Sequence, residues 1–140
     1  MDAVNDERGQ ALILAVLLLA IAAVAISGLR MTQERILAVA REHRAGEAAV
    51  EAATAVIADV YTAELRRVPS PRPTDVFRAV TTPGAREAAR AAATEVSLLN
   101  GGPTIGDAAV RCAAGLVEVS LTISDRLYRA GFSGPLCSQR

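Results

Sequence analysis

The stretch Ala11–Leu29, ALILAVLLLAIAAVAISGL, contains no charged residue. At ~1.5 Å rise per residue, a helix over its roughly 19 residues spans roughly 28 Å, close to the ~30 Å hydrocarbon core of a bilayer. Leu, Ile, Val and Ala fill it, and Ser27 and Gly28 come only at its far end. A segment in lipid must satisfy its own backbone hydrogen bonds, which a helix does. The alternative, a buried core helix, needs more apolar material around it than a small domain supplies. The stretch therefore predicts a membrane-spanning helix.

The chain has 140 residues, and the segment before the apolar run is short and polar, so nearly all the folding material follows the run. Formal net charge is zero, which implies no general attraction to nucleic acid or to acidic partners. Trp is absent, and the rings are only Tyr61, Phe77, Tyr128 and Phe132. A core without many large rings must be built from Ala, Val, Leu and Ile. It is thin, and is completed by a partner or by the chain's own long helix. The leader Met1–Gly9 carries Asp2, Asp6 and Glu7 against Arg8 alone, unlike the basic n-region of a secretory signal. The small residues Ala23-Val24-Ala25 offer a cleavage site, but inside the apolar run. A secreted product cleaved near Ala25 is thus one alternative.

The helical pattern continues past Leu29. From Arg30 to Arg67 there is no Pro, and the only Gly is Gly46. Ile36, Ala40, Ala45, Ala48, Ala49, Ala52, Val56, Val60 and Ala63 recur in three- and four-residue steps, the mark of one helix face. The spacing predicts one helix from near Gln10 to Arg66, on the order of 85 Å long, apolar all round at first and amphipathic after. Pro69, Pro71, Pro73 and Pro83 then predict an exposed loop over 68–83. A second helix follows over Ala85–Leu99, with Thr82 to cap it and Pro83 in its first turn. Its stripe is Ala85, Ala88, Ala89, Ala92, Val96 and Leu99, and Asn100-Gly101-Gly102-Pro103 stops it. Val117, Val119, Leu121 and Ile123 alternate with polar residues as a half-buried strand, and Val110 and Cys112 flank Arg111 in the same way. Ala113-Ala114-Gly115 between them suits a hairpin turn. The tail, 124–140, predicts at most a helical turn around Arg126–Ala130. The fold class is α+β: a leader (1–9), a transmembrane and amphipathic long helix (10–67), a Pro-rich loop (68–83) and a small head (84–140) with an Ala-rich helix and a β-hairpin.

No catalytic constellation stands out. His43, the only histidine, falls on the charged part of the long helix, and the carboxylates are scattered at helix-surface spacing. No Gly-rich phosphate loop follows a strand. The pattern predicts no enzyme, no cofactor and no metal site. Cys112 and Cys137 are compatible with one disulfide in an oxidising compartment and with two free thiols in the cytoplasm. A small buried apolar residue is a further reading of Cys112.

ERGQALILAVLLLAIAAVAISGLR resembles the N-terminus of pilin-like proteins, in particular the TadE/TadG group of tight-adherence (Flp-type) pilus systems. REHRAGEAAVEAATAVIA is similar to their small-residue helix after the membrane span, a segment also shared by PilX/GspK-like minor pilins. AREAARAAATEVSLLNGG and VRCAAGLVEVSLTI are similar to the Ala-rich helix, Asn-Gly turn and strand of actinobacterial TadE-like members. The resemblance implies a minor pilin or pilus-assembly component of a type IV pilus-like machine. It implies a single-pass protein of the cytoplasmic membrane with its head outside, carried in some cases into an extracellular pilus. The partners implied are membrane lipid, other pilin-like subunits, pilus-assembly proteins and a prepilin peptidase that cuts between Gly9 and Gln10. Helix packing would use Ala11–Leu29 and the stripe Ala45, Ala49, Ala52, Val56 and Val60. The chain departs from the family in one place: Leu14 stands where many pilins carry a Glu five residues after the cut. That departure fits an uncut anchor or a filament-tip subunit.

Arg8 stands alone before the apolar run, whereas Arg30, Arg35, Arg41 and Arg44 follow it. The positive-inside rule places the head in the cytoplasm on this count, the reverse of pilin topology. An uncleaved membrane adaptor or regulator unrelated to pili is the corresponding alternative. With the head outside, as the resemblance implies, Cys112 and Cys137 can close a disulfide loop that stabilises the head by roughly 3 kcal/mol in the chain-entropy model.

Overall fold

A computed structural model describes residues 3–67 and 69–137, with side chains described from Leu12 onward. Its elements are α1 (Ala3–Arg67), α2 (Pro73–Val80), α3 (Pro83–Leu99), β1 (Ala108–Ala113), β2 (Leu116–Ile123) and β3 (Arg126–Ser133). The chain divides into two units, Met1–Val39 and Ala40–Arg140. The first is α1 as far as Val39, the apolar run with the polar residues on either side of it. The second, the head, holds the rest of α1 with every other element.

Within the head the strands form one antiparallel sheet in the order β1-β2-β3. The register pairs Val119 with Val110 on one side and with Ala130 on the other. One sheet face is buried: Ala108 and Cys112, then Val117, Val119, Leu121 and Ile123, then Tyr128, with Ala130 and Phe132 packed beside them. The opposite face carries Arg111, Glu118, Thr122, Leu127 and Arg129. This one-sided alternation is what period-2 patterning produces when a helix covers only one face.

α3 packs against β1, and the other covering helix is α1. Its buried residues are Ala45, Ala49, Val50, Ala53, Ile57 and Tyr61. Of the stripe expected from sequence, Ala45 and Ala49 are buried, Ala40, Ala48, Ala52, Val56 and Val60 are half-buried, and Ile36 and Ala63 are exposed. The buried face is thus rotated from the expected one. Ala occupies so many positions here that small residues cannot mark a face. The larger Val50, Ile57 and Tyr61 do, and the sheet follows them.

Two contacts fix the helix on the sheet. The Tyr128 ring lies over Gly46, where an added Cβ would fall inside the ring's van der Waals envelope. Farther along α1, Tyr61 meets Phe132 edge-on, ring centroids 5.5 Å apart, and its hydroxyl accepts from the Leu136 backbone N–H at 3.4 Å. Aromatic pairs favour this geometry.

The segment 68–83, expected as one exposed loop, contains α2, which buries Val76 and Val80. Pro73 is the first residue of the helix, where its missing N–H is no loss and its fixed φ is already helical. The prolines before it therefore position α2 instead of excluding it. Arg72 pairs with Asp75 at 2.9 Å and holds that carboxyl below the usual range.

The third helix begins as predicted: Thr82 Oγ1 accepts from the Ala85 N–H at 3.1 Å, with Pro83 following. It ends in a Schellman turn, with Gly102 N–H bonding Ser97 C=O at 2.8 Å and Gly101 N–H bonding Leu98 C=O at 3.0 Å. Gly101 takes φ +74° there. The buried face is Ala85, Ala89, Ala93 and Ser97. Ala92 and Val96 are half-buried, while Ala88 and Leu99, expected in the stripe, are exposed.

The predicted hairpin is present, with Ala114 and Gly115 both at positive φ. It is extended by β3, which takes the place of the helical turn expected around Arg126–Ala130. The β2–β3 turn has Ser124 at φ 47° and Asp125 at φ 65°. Two positive φ values in a two-residue loop match the right-handed twist of the strands it joins.

Gly46→Ala is expected to destabilise the head. Overpacking against Tyr128 costs about 1–3 kcal/mol, which outweighs the ~1 kcal/mol gained in helix propensity. Thermal unfolding of Gly46→Ala, alone and with Tyr128→Leu, checks this. The substitution should lower Tm alone and should cease to do so once the ring is gone. Equal effects in both backgrounds would contradict the contact.

Candidate functional site

Among the described residues, one helix is long and apolar enough to cross a membrane. Leu12, Ile13, Leu14, Val16, Leu17, Leu18, Leu19 and Ile21 are all more than half exposed, as are Val24, Ile26 and Leu29. Soluble monomers rarely leave a contiguous apolar patch of more than a few hundred Å² bare. The one polar side chain in the run, Ser27, donates to the Ala23 carbonyl at 2.8 Å, and beyond it Thr32 donates to Gly28 at 2.9 Å. Such back-bonding leaves no hydroxyl to be paid for in a medium without water. Leu14, the position that departs from the pilin pattern, is exposed along with its neighbours. Gly9 and Gln10, the expected processing pair, have side chains outside the described residues.

The second feature is the closure of the head. Cys112 and Cys137 are joined as a disulfide, with Cα atoms 5.1 Å apart and both residues fully buried. The bond ties β1 to the segment after β3. Backbone bonds reinforce it: Gly134 N–H to Gly115 C=O at 2.8 Å, and Gly115 N–H to Cys137 C=O at 2.9 Å. A side chain at Gly134 would run into Val117 and Tyr61, so the tail approaches the core closely because this position is Gly. Cys112 is therefore both the buried small residue of one reading and the disulfide partner of the other.

Among the expected helix-packing residues, Ala45 and Ala49 are used up inside the head. Ala45 lies beside Gly102 at the end of α3. Only Ala52, Val56 and Val60 keep some surface for another helix. Sequence reasoning missed Gly46, Tyr61 and Tyr128. The available signal was a lone Gly in a long helix and two of the few rings, which need a close approach and a large neighbour respectively.

His43 Nε2 is 3.3 Å from Glu47 Oε1, on an exposed helix surface. Its ring is 5.8 Å from that of Tyr128, whose buried hydroxyl has no hydrogen-bond partner among the described residues. Among the described residues no group of His, Cys, Asp or Glu side chains gathers to hold a metal. Comparison with known proteins yields no matching family model, no matching curated protein and no matching solved structure.

Reducing the disulfide, or replacing both cysteines by Ala, is expected to cost roughly 3 kcal/mol of head stability, since the loop closed is of moderate length. Denaturant unfolding with and without reductant measures this. An unchanged midpoint would show that the bond does not constrain the head.

Proposed function

We propose that the chain is a single-pass membrane subunit of pilin type, a minor pilin or pilus-assembly component of a tight-adherence or type IV pilus-like machine. The observation that carries this reading is the pairing of an uncovered apolar helix with a disulfide-closed head on the same chain. The helix needs lipid or other apolar helices around it. The disulfide favours an oxidising compartment for the head, hence the outer side of the cytoplasmic membrane. The family resemblance supports the same topology. Packing between subunits would use Ala11–Leu29, with Ala52, Val56 and Val60 as the part of the following stripe still accessible.

Leu14 narrows the role. An acid near the bilayer centre costs about 2.5–3.5 kcal/mol on insertion scales, so a Leu there favours residence in lipid. It also removes the carboxylate that meets a neighbour's amine in pilins of the resembled kind. We therefore favour a membrane-resident or filament-tip subunit over a shaft subunit. The arginines after the apolar run favour a second reading, a cytoplasmic-facing adaptor or regulator. The disulfide weighs against it, because the cytoplasm keeps such thiols reduced.

The N-terminus and intact mass of the protein, isolated from the cell envelope without reductant, test the reading. The expected result is a chain that retains the apolar run, is lighter by two hydrogens, and appears in pilus fractions or in complex with other pilin-like chains. A start at Gln10 would add prepilin-type processing. Free thiols that alkylate from the cytoplasmic side would overturn the reading in favour of the adaptor, and loss of the apolar run in favour of a secreted product.

A further inference from the structure

We infer that α1 lies along a phospholipid surface over residues 31–40, its exposed apolar stripe on the acyl chains and its arginines at the phosphates, after bending at Ser27 and Gly28. The inference rests on the membrane reading of the apolar run. The apolar surface of α1 does not stop with that run. Leu29 is 64% exposed, Ile36 63% and Val39 49%. With Thr32 they follow one another in three- and four-residue steps, so they share one face of the helix. Arg30, Glu34 and Arg41 fall on the other side, and Met31 and Leu37 lie off the stripe.

The charges select lipid as the occupant. Arg30 and Arg35 belong to this stretch, and Arg41 and Arg44 follow it. None of the four makes an ion pair among the described residues, although Glu34 is spaced to meet Arg30. An apolar stripe bordered by free arginines, continuous with a membrane-spanning run, matches the headgroup layer. There the arginine stems lie on the acyl boundary and the guanidinium groups reach the phosphates. The end of the head from which α1 departs is apolar too. Leu98 and Leu99 close α3 near the contact of Gly102 with Ala45, and Leu127 precedes Tyr128; all three are more than half exposed.

A straight, upright helix cannot bring the stripe to that layer. Ile36 is roughly 10 Å beyond Leu29 along the axis, whereas the headgroup layer is only roughly 5–8 Å deep on each side. A bend removes the difference, and Ser27 with Gly28 supplies a place for it. Helices kink at Gly/Ser pairs, and this pair stands at the end of the apolar run. Ser27 Oγ donates to the Ala23 carbonyl and Thr32 Oγ1 to the Gly28 carbonyl, contacts that compete with the backbone ladder on both sides of the pair. A Cβ at Gly28 would meet nothing within 4 Å. Packing therefore does not account for this glycine, whereas bending does.

Trp is absent from the chain, so an introduced Trp reports its own surroundings alone. The test places one at an exposed site of the full chain in nanodiscs: Leu18→Trp, Ile36→Trp or Ala38→Trp. The readout is quenching by phospholipid brominated near the bilayer centre or near the headgroup. Leu18→Trp should lose emission to the deep bromine. Ile36→Trp should lose emission to the shallow bromine, and Ala38→Trp, across the helix from it, should lose much less. Adding Gly28→Ala should weaken the quenching of Ile36→Trp. Quenching of Leu18→Trp without quenching of Ile36→Trp would overturn the inference and leave the membrane reading standing. An unquenched Leu18→Trp would overturn both. Equal quenching of Ile36→Trp and Ala38→Trp, or indifference to Gly28→Ala, would also overturn the inference. A blue-shifted but unquenched Ile36→Trp would overturn it in favour of a neighbouring helix on the stripe.

Discussion

The head depends on the small-residue faces of two helices, α1 and α3, meeting one sheet face. The facing residues are mostly small: Ala45, Ala49 and Ala53 on α1 and α3's Ala85, Ala89 and Ala93, with Val117 and Val119 from the sheet. Such side chains fill little volume, so dense packing requires a close approach of backbones. Two tyrosines fix that approach, one from each partner. Tyr128 of the sheet presses on Gly46 of the helix, and Tyr61 of the helix presses on Phe132 and the tail. The disulfide then holds the tail where Tyr61 needs it. Stability in a core this thin comes from geometry at a few points as much as from buried area.

The same helix has an opposite requirement in its first part. There every large side chain is exposed. One continuous element thus carries two kinds of surface: a face buried in the head over Ala45–Tyr61, and large apolar side chains left exposed from Leu12 to Leu29. The proposed membrane role follows from this division. The disulfide adds a second constraint on the head, tying β1 to the segment after β3.

How much of this was legible in the sequence depended on the residue types involved. The apolar run, the Thr82-Pro83 helix start, the Asn100-Gly101 stop and the β2 alternation each carry a strong local signal, and each lies where expected. The helix faces were harder. In Ala45–Ala63 and Ala85–Leu99, Ala lies on both the buried and the exposed side, so periodicity could not choose between neighbouring faces. β3 was missed because Ser124-Asp125 reaches a positive-φ turn without Gly, and because Gly131 interrupts the strand's alternation. The prolines before α2 carry the signal of a helix breaker, although Pro73 is at the start of the helix, where proline is tolerated. The disulfide was open between two states, since spacing alone does not report compartment.

Amide hydrogen exchange along α1, in the full chain in nanodiscs with and without reductant, tests the central claim most directly. The account predicts two independently protected stretches. Amides over Leu12–Leu29 should be slow because lipid excludes water, and reductant should leave them slow. Amides over Ala45–Tyr61 should be slow because the sheet covers them, and should quicken when the disulfide is reduced. Rapid exchange over Leu12–Leu29 in the bilayer, or protection of Ala45–Tyr61 indifferent to reduction, would contradict it.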